Sequence, residues 1–290
     1  MKNKKHTIAL IIVLSILVLL IIVILIFLMS GKFKFNFKKV SDELKIEEVY
    51  DLNFDEINII TDAGDVYLKN YDDDKVKLLI YNDDDLNEVN INGNILDIDV
   101  KNKKCHFFCN NKIAKIEIYL PNNYENEINI EDNLGNIEVE NFEKINVNIK
   151  NNLGDIDISN VNNAIIKNDL GDVNINKVNN ADIKVSSGDV NIKEVNDIKI
   201  KTNLGDVVVN KINNYLDISN DCGDIKLDKV VLNKDSKIQN SLGDVKINNI
   251  KDVYIDGETD LGKVKINNNY RNSDITLEIE NNCGDIKVDN

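Results

Sequence analysis

The stretch that decides the fold is Leu153-Gly154-Asp155-Ile156-Asp157-Ile158, and the same phrase recurs through the second half of the chain. Further copies are centred on Gly135, Gly171, Gly188, Gly205, Gly223, Gly243, Gly262 and Gly284, with an isolated early copy at Gly64. From Gly135 onward the glycines are 19, 17, 17, 17, 18, 20, 19 and 22 residues apart. A repeat of this length predicts a solenoid, in which each copy forms one coil and the coils stack.

Each position of the repeat has a constant chemical character. Two residues before the glycine, every copy has Asp, Asn or Ser, whose side chains accept hydrogen bonds from nearby amides and favour turns. The glycine permits backbone angles that a Cβ would resist. The second and fourth residues after the glycine are apolar in every copy, and the residue between them is mostly polar. This alternation predicts a short strand with one buried face.

A second strand is predicted just before each turn, with apolar residues seven and five positions ahead of the glycine. The residue directly before the glycine is usually Leu, and Cys222 and Cys283 replace it in two copies. We expect these Leu and Cys side chains to be buried with the rest. Helical repeats would need a 3.6-residue pattern, which is absent, and propeller blades would need about 40 residues. The prediction is an all-β protein with a β-solenoid over residues 131–290, built from coils of 17–22 residues.

The first part of the chain has a different organisation. Residues 7–29 are almost wholly apolar and long enough to cross a bilayer as a helix. An uncleaved signal anchor is favoured over a cleavable signal peptide, because the run is long and no small-residue cleavage site follows it. We therefore predict a cytoplasmic tail at 1–6, a transmembrane helix at 7–29, a linker at 30–45 and an irregular β region at 46–130 that caps the solenoid. Lysines flank both ends of the apolar run, so they do not settle its orientation. An extracytoplasmic solenoid is the usual topology for such a first helix.

The composition limits the classes of partner. The chain of 290 residues has a formal net charge of −15. Nucleic-acid binding needs clustered Lys and Arg, so we predict no nucleic-acid partner. The acidity also disfavours a solenoid face that lies flat on an anionic membrane.

The aspartates that follow the glycines suggest one metal hypothesis. Stacked coils would place Asp155, Asp172, Asp189 and Asp206 about 5 Å apart in a column, where calcium could compensate their repulsion. The competing explanation is that each carboxylate accepts turn amides near solvent. Asn136 and Lys263 interrupt the pattern. No other metal site and no cofactor are predicted.

The cysteines fall into two groups. Cys105 and Cys109 flank a predicted hairpin loop, where a local disulfide is the simplest prediction, and free thiols or a metal site with His106 are the alternatives. Cys222 and Cys283 occupy the same repeat position and are expected to be three coils, about 14 Å, apart. That separation is too long for a disulfide.

The chain offers little for catalysis. It has only two histidines, His6 and His106, and one arginine, Arg271. We predict that it is not an enzyme; a glycan-processing activity that uses paired carboxylates is the alternative. The last coil ends at Asp289 with no obvious cap, so its ladder edge is expected to be exposed and available for self-association through the C-terminal coil.

The residues also resemble a known family. The features that match are Ala63-Gly64-Asp65-Val66, Ile118-Tyr119-Leu120-Pro121, Ile128-Asn129-Ile130 and the run of Gly-Asp-Val/Ile repeats. Over residues 46–290 the chain is similar to the bacterial "putative adhesin" domain family of unknown function, which includes an accessory protein of the Lia envelope-stress system. The resemblance implies a membrane-anchored, extracytoplasmic β-solenoid without catalysis. Its implied role is surface adhesion or envelope-stress sensing, with an unidentified envelope protein or surface ligand as partner. A self-assembling structural solenoid is the alternative.

Overall fold

The computed structural model describes residues 39–51, 54–102, 112–267 and 269–289. This part of the chain consists of strands, turns and bends without a helix. Accordingly, the described residues contain no helix long and apolar enough to span a membrane. The predicted membrane helix at 7–29 and the tail at 1–6 lie outside the described residues, so they remain predictions.

The strands of the described residues form one continuous hydrogen-bonded sheet. In chain order they are β1 (Leu44–Asp51), β2 (Glu56–Thr61), β3 (Gly64–Tyr71), β4 (Lys75–Tyr81), β5 (Asn87–Asn92), β6 (Ile95–Val100), β7 (Ala114–Pro121), β8 (Glu127–Asp132), β9 (Ile137–Asn141), β10 (Asn146–Leu153) and β11 (Ile156–Leu170). They continue with β12 (Val173–Ser187), β13 (Val190–Leu204), β14 (Val207–Val209), β15 (Ile212–Cys222), β16 (Ile225–Val230), β17 (Ser236–Leu242), β18 (Val245–Ile250), β19 (Tyr254–Leu261), β20 (Val264–Ile266), β21 (Thr276–Cys283) and β22 (Ile286–Asp289).

One coil of the solenoid is represented by β11. Its inward side chains are Ile156 and Ile158 after the turn, Val161 at a bend, and Ala164 and Ile166 before the next turn. Each is at most 2% exposed. The next coil repeats this set in parallel register, so like side chains form columns spaced by about 4.8 Å along the stack. Burying a Val or Ile side chain contributes about 1.5–3 kcal/mol, and a single coil could not bury its own set.

The ladder has two faces. The turn-following face holds, in spatial order, β1, β4, β7, β3, β9, the first halves of β11, β12 and β13, then β14, β16, β18, β22 and β20. The turn-preceding face holds β5, β6, β2, β8, β10, the second halves of β11, β12 and β13, then β15, β17, β21 and β19. The core lies between the two faces and runs without a break through the stack. The predicted β-solenoid repeat is therefore confirmed.

At the N-terminal end, the coils do not stack in chain order. Strands β2 and β3 lie between β6–β7 on one side and β8–β9 on the other, and all these pairings are parallel. The strands beyond them, β1, β4 and β5, pair in antiparallel fashion. The regular stack thus begins with the early copy at Gly64, inside the region 46–130.

The C-terminal end is also out of order, and here the expected exposed edge was wrong. The last segment, β21 and β22, pairs with β17 and β18 on one side and with β19 and β20 on the other. The outermost coil is therefore 254–266, and Ile286 and Val288 are fully buried inside the stack. The chain passes the outer coil first and then returns to fill the layer beneath it.

The residues of the outer coil explain this order. Gly257 lies in register with Ile279 and, one layer further in, Ile238, so it brings no side chain to a column that is otherwise filled. In the middle of the stack this gap would leave a cavity, which destabilises a core, whereas at the end no further layer needs the contact. Lys263 occupies the position at which the other coils have an Asp or Asn that accepts the backbone N–H of the next coil. A lysine cannot accept that hydrogen bond, so it leaves no amide unpaired only in the outermost coil.

Candidate functional site

The turn after each coil brings successive backbones unusually close together. At Gly188 the backbone φ is +150°, and a Cβ would lie 2.0 Å from the carbonyl oxygen of Gly171 in the neighbouring coil. Glycines in the other central coils show the same geometry. The glycine is therefore required by close approach as well as by the backbone angle.

The aspartate after each glycine joins adjacent coils. The Oδ1 atom of Asp155 accepts a hydrogen bond from the backbone N–H of Asp172 at 2.9 Å. In the same way, Asp172 accepts from Asp189, and Asp189 accepts from Asp206, each at 2.8 Å. Asp206 accepts from the N–H of Asp224 at 2.8 Å. Each carboxylate thus satisfies an amide that the turn leaves without a ladder partner.

The two interruptions in this pattern have structural explanations. Asn136 keeps the acceptor, because its Oδ1 accepts from the N–H of Asp155 at 3.1 Å. The N–H of Lys263 donates to Asp285 at 2.9 Å. Among the described residues no coil stacks on the other side of Lys263, so no acceptor is needed there. Because the last coil is inserted beneath the outer one, the aspartates form an unbroken column: Asp155, Asp172, Asp189, Asp206, Asp224, Asp244 and Asp285. We call these residues the aspartate column.

A buried polar column lies beneath the turn and was missed by the sequence analysis. Asn168, fully buried three residues before its glycine, donates from Nδ2 to the carbonyl oxygens of Gly154 at 3.0 Å and Gly171 at 2.9 Å. Asn151 binds the carbonyls of Gly135 and Gly154 in the same way. A signal was present, because this position is Asn, Thr or Asp in almost every copy: Thr61, Asp132, Asn151, Asn168, Thr202, Asn220, Asn240, Thr259 and Asn281.

Most of the residues directly before the glycines are exposed, which corrects the prediction that they are buried. Leu153, Leu170, Leu204, Leu242 and Leu261 are 42%, 54%, 54%, 51% and 70% exposed. Cys222 is also exposed and Cys283 is half-buried. In spatial order the column is Leu153, Leu170, Ser187, Leu204, Cys222, Leu242, Cys283 and Leu261. We call these residues the leucine column.

The physical reason is the corner itself. Strict alternation would turn the residue before the glycine inward. However, the chain already leaves the strand direction there, and the inward space is taken by Asn168 and its counterparts in the buried polar column. The same register corrects the spacing of the two cysteines. Cys222 pairs with Leu242, which pairs with Cys283, so they are two coils apart rather than three. Both are free thiols, as expected.

The leucine and aspartate columns run side by side along one edge of the solenoid, separated in each coil by a single glycine. We call the two columns together the ridge. A line of exposed leucines along one edge makes the ridge the candidate interaction surface. In its central part the ridge is also electrostatically uncompensated. Among the described residues, Asp155, Asp172 and Asp189 form no ion pair with a Lys or Arg.

Towards the outer coil, lysines reduce this negative charge. Lys226 lies 3.4 Å from a carboxylate oxygen of Asp206 and 3.1 Å from one of Asp224. The backbone amide of Asp244, helped by Lys226, holds the pKa of Asp224 below its ordinary value. The hydrogen bond from Lys226 to Asp224 raises the pKa of that lysine. The acidic character of the ridge is therefore concentrated around Leu153, Leu170 and Ser187.

The metal hypotheses remain untested predictions. Within the ranges that the structure describes, no three His, Cys, Asp or Glu side chains are grouped to hold a metal ion. In the aspartate column, one oxygen of each of Asp155, Asp172, Asp189 and Asp206 is engaged by a backbone amide. This supports the explanation of the column as a set of turn acceptors. Cys105, His106 and Cys109 lie outside the described residues.

A shallow groove of about 450 Å³ lies on the turn-preceding face. It is floored by Ala164 and Ala181 and bordered by the exposed Ile165 and by Tyr215. Of its carboxylates, Asp197 accepts hydrogen bonds from Asn214 at 2.7 Å and from Lys234 at 3.3 Å. These contacts join neighbouring coils, so Asp197 serves the stack in the same manner as the aspartate column.

Together, the parallel coils, the glycine corners and the joining aspartates define a β-solenoid. The chain belongs to the Toastrack DUF4097 family, whose model matches residues 54–195 and 173–290. That family membership confirms the resemblance noted in the sequence; the link to the Lia system remains a prediction. Among curated proteins, none shows significant similarity to the chain.

Three solved structures are among those to which the chain shows similarity. A "putative adhesin" from Bacteroides fragilis is 20% identical, with a TM-score of 0.41, over 86% of this chain and 98% of that one. A "putative cell adhesion protein" from Clostridium sporogenes is 15% identical, with a TM-score of 0.23, over 85% and 99%. A "putative lipid binding protein" from Parabacteroides distasonis is 14% identical, with a TM-score of 0.42, over 86% and 99%.

Proposed function

We propose that the chain is a non-catalytic, membrane-anchored display protein of the cell surface that acts in adhesion or envelope-stress sensing, and that the ridge binds its partner. The observation that carries this proposal is the exposed leucine column beside a continuous aspartate column. Residues 7–29 would hold the solenoid at the membrane, with the ridge outside the cell.

The chemistry of the ridge defines the partner. Leu153, Leu170 and Leu204 offer apolar contact, whereas the flanking carboxylates repel anionic surfaces and attract basic groups. The columns have a spacing of about 4.8 Å, close to the 5.4 Å pitch of an α-helix. A helix with a leucine stripe and basic flanks could therefore follow the ridge for three to four turns before the two spacings drift apart. We propose a segment of this kind on an envelope protein as the partner.

A binding experiment tests this function. The full chain in nanodiscs of neutral lipid is titrated into a fluorescently labelled four-turn peptide with a leucine stripe and lysine flanks, and empty nanodiscs give the background. Anisotropy should report salt-sensitive binding. The same peptide with glutamate flanks should bind more weakly. Equal binding of the two peptides would refute the electrostatic part of the proposal.

Matched variants locate the binding surface. Leu170→Ser and Leu204→Ser should weaken binding without unfolding, because both side chains are exposed and the same column carries Ser187. Val231→Ser is the control, since Val231 is equally exposed at 54% but lies away from the ridge. Asp172→Asn keeps an amide oxygen as acceptor, as Asn136 does in its coil, and removes only the charge. This variant should therefore reduce the salt dependence of peptide binding. Unchanged affinity of the ridge variants for the peptide would refute the proposal.

The anchoring and orientation need a separate test. Protease added to intact cells should degrade the solenoid region only if it lies outside the membrane. Crosslinking of the anchored chain, followed by identification of the captured proteins, would then distinguish an envelope-stress partner from a surface ligand.

A further inference from the structure

The coil 276–289 occupies a layer whose two walls are built by residues that precede it in the chain. One wall is β17 and β18, and the other is β19 and β20. Into this layer the segment brings Leu277, Ile279, Ile286 and Val288, all fully buried. The layer between the two walls, which we call the slot, therefore has an apolar interior that fits this segment.

The segment is also bonded to both walls at the corner. The backbone N–H of Asp285 donates to Oδ1 of Asp244 on the inner wall at 2.8 Å, and Oδ1 of Asp285 accepts from the N–H of Lys263 on the outer wall at 2.9 Å. Asn281 donates to the Gly243 carbonyl at 3.0 Å. Asp285 and Asn281 thus make the same corner contacts as Asp155 and Asn168 in the central coils. Every copy of the chain carries both the slot and the segment that fits it.

Simple end-to-end stacking of two solenoids is opposed by two features of the outer coil. Asn269 covers part of the edge of β19, because its side chain accepts from the N–H of Ile255 and donates to the carbonyl of Ile255, both at 2.8 Å. Lys263 offers no acceptor to the turn amide of an added coil. Such devices are typical of protected sheet edges.

We propose that self-association occurs instead by strand exchange: β21 and β22 of one copy fill the slot of a second copy, and the reverse exchange completes a two-fold dimer. The contacts in the exchanged dimer are the same as in the monomer, so the balance depends on local concentration. The connection between β20 and β21 is the hinge, with residues 269–275 as its described part. This inference does not depend on the ridge.

Within one chain, the segment β21–β22 competes for its own slot at a high effective concentration, on the order of mM for a short linker. Exchange is therefore expected to be rare in dilute solution and to increase when unfolded chains meet at high density, as they would on a membrane surface. This concentration dependence is the property to measure.

The test traps exchange with a disulfide. All chains carry Cys105→Ser, Cys109→Ser and Cys222→Ser. The acceptor chain also carries Leu242→Cys and Cys283→Ser, and the donor chain keeps Cys283. Leu242 and Cys283 are register partners, and neighbouring strands have a Cα separation within the range of a disulfide. The two full-length chains, one of them epitope-tagged, are refolded together in detergent at graded concentrations and oxidised.

The expected result is a covalent donor–acceptor dimer whose yield rises with concentration. The matched control acceptor carries Leu170→Cys instead of Leu242→Cys; residue 170 belongs to the same column and is similarly exposed, but it pairs with Leu153 and Ser187. A donor–acceptor yield no greater than that of this control would overturn the proposal.

A single-chain variant keeps the test independent of folding failure. A chain with both Leu242→Cys and the native Cys283 should form an intrachain disulfide in dilute solution, which supports the slot geometry. If it does not, the insertion of β21 beneath the outer coil is refuted, and the exchange proposal fails with it. A failure of the peptide to bind the ridge would not change the expected donor–acceptor dimer or the expected intrachain disulfide, so the two proposals can fail separately.

Discussion

Asp285→Ala is the substitution that most directly tests how the coils are ordered. In the structure, Asp285 accepts the N–H of Lys263 at 2.9 Å, because coil 254–266 stacks on coil 276–289. If the coils instead stacked in chain order, Asp244 would face Lys263 and Asp285 would be the terminal aspartate. In that arrangement Asp285→Ala would have no effect on the Lys263 amide.

The expected magnitude follows from the bond that is lost. A hydrogen bond to a charged group contributes about 1.5–3 kcal/mol, and the value falls for an exposed carboxylate such as this one. Removing a charge next to Asp244 also relieves some repulsion within the column. We expect a net loss of about 1 kcal/mol in local stability, which corresponds to about fivefold faster opening.

Hydrogen exchange at the Lys263 amide is the appropriate assay, because it reports the affected coil by itself. Asp285→Ala should speed this exchange about fivefold. Asp285→Asn should have little effect, since Asn136 shows that an amide oxygen can serve as the acceptor. Lys263→Ala should leave the aspartate column intact, because no coil stacks on Lys263. Unchanged Lys263 exchange in Asp285→Ala, with faster exchange in Asp244→Ala, would refute the observed order.

Three further predictions concern stability. Gly188→Ala should prevent its coil from folding, because a Cβ would lie 2.0 Å from the carbonyl of the neighbouring coil's glycine; Gly257→Ala, with 3.4 Å to a flexible side chain, should preserve or raise the thermal midpoint. Burial alone would raise the pKa of Glu117, but Lys69 outweighs it and holds the pKa below the ordinary 4.5. The stability that this group contributes is present above that value and is lost as the pH falls through the lowered folded pKa. Glu117→Gln should therefore flatten the acid side of a plot of urea midpoint against pH. Parallel plots for the two proteins would contradict this. Asn168→Ala should cost about 2–3 kcal/mol through two lost hydrogen bonds and a cavity, whereas Asn168→Val, which keeps the volume, should cost about 1 kcal/mol in denaturant unfolding.

Local chemistry was enough to predict most of the coil. The alternation around Ile156 and Ile158 predicted a strand with one buried face, and both side chains are buried. The explanation of Asp155 as a turn acceptor is supported by its bond to the next coil. These features were readable because each depends on residues within a few positions of the glycine.

The candidate site was only half visible in the sequence. The aspartate column follows from the repeat, but the leucine column was predicted to be buried, and Leu170 is 54% exposed. An alternating pattern cannot tell where a strand starts to turn a corner. The inward place was taken by Asn168, because the glycine carbonyls inside the corner need donors.

By itself, the sequence determined the repeat, the strand alternation, the turn and the columns of the core, because these depend on short-range geometry and on which side chains avoid water. Only the tertiary structure decided the order in which the coils stack and therefore which coil lies outermost. All coils present nearly the same surface to their neighbours, so the repeat alone does not distinguish one adjacency from another. The choice depends on small differences at contacts far apart in the chain: Gly257 would leave a gap and Lys263 an unpaired amide anywhere but at the end of the stack.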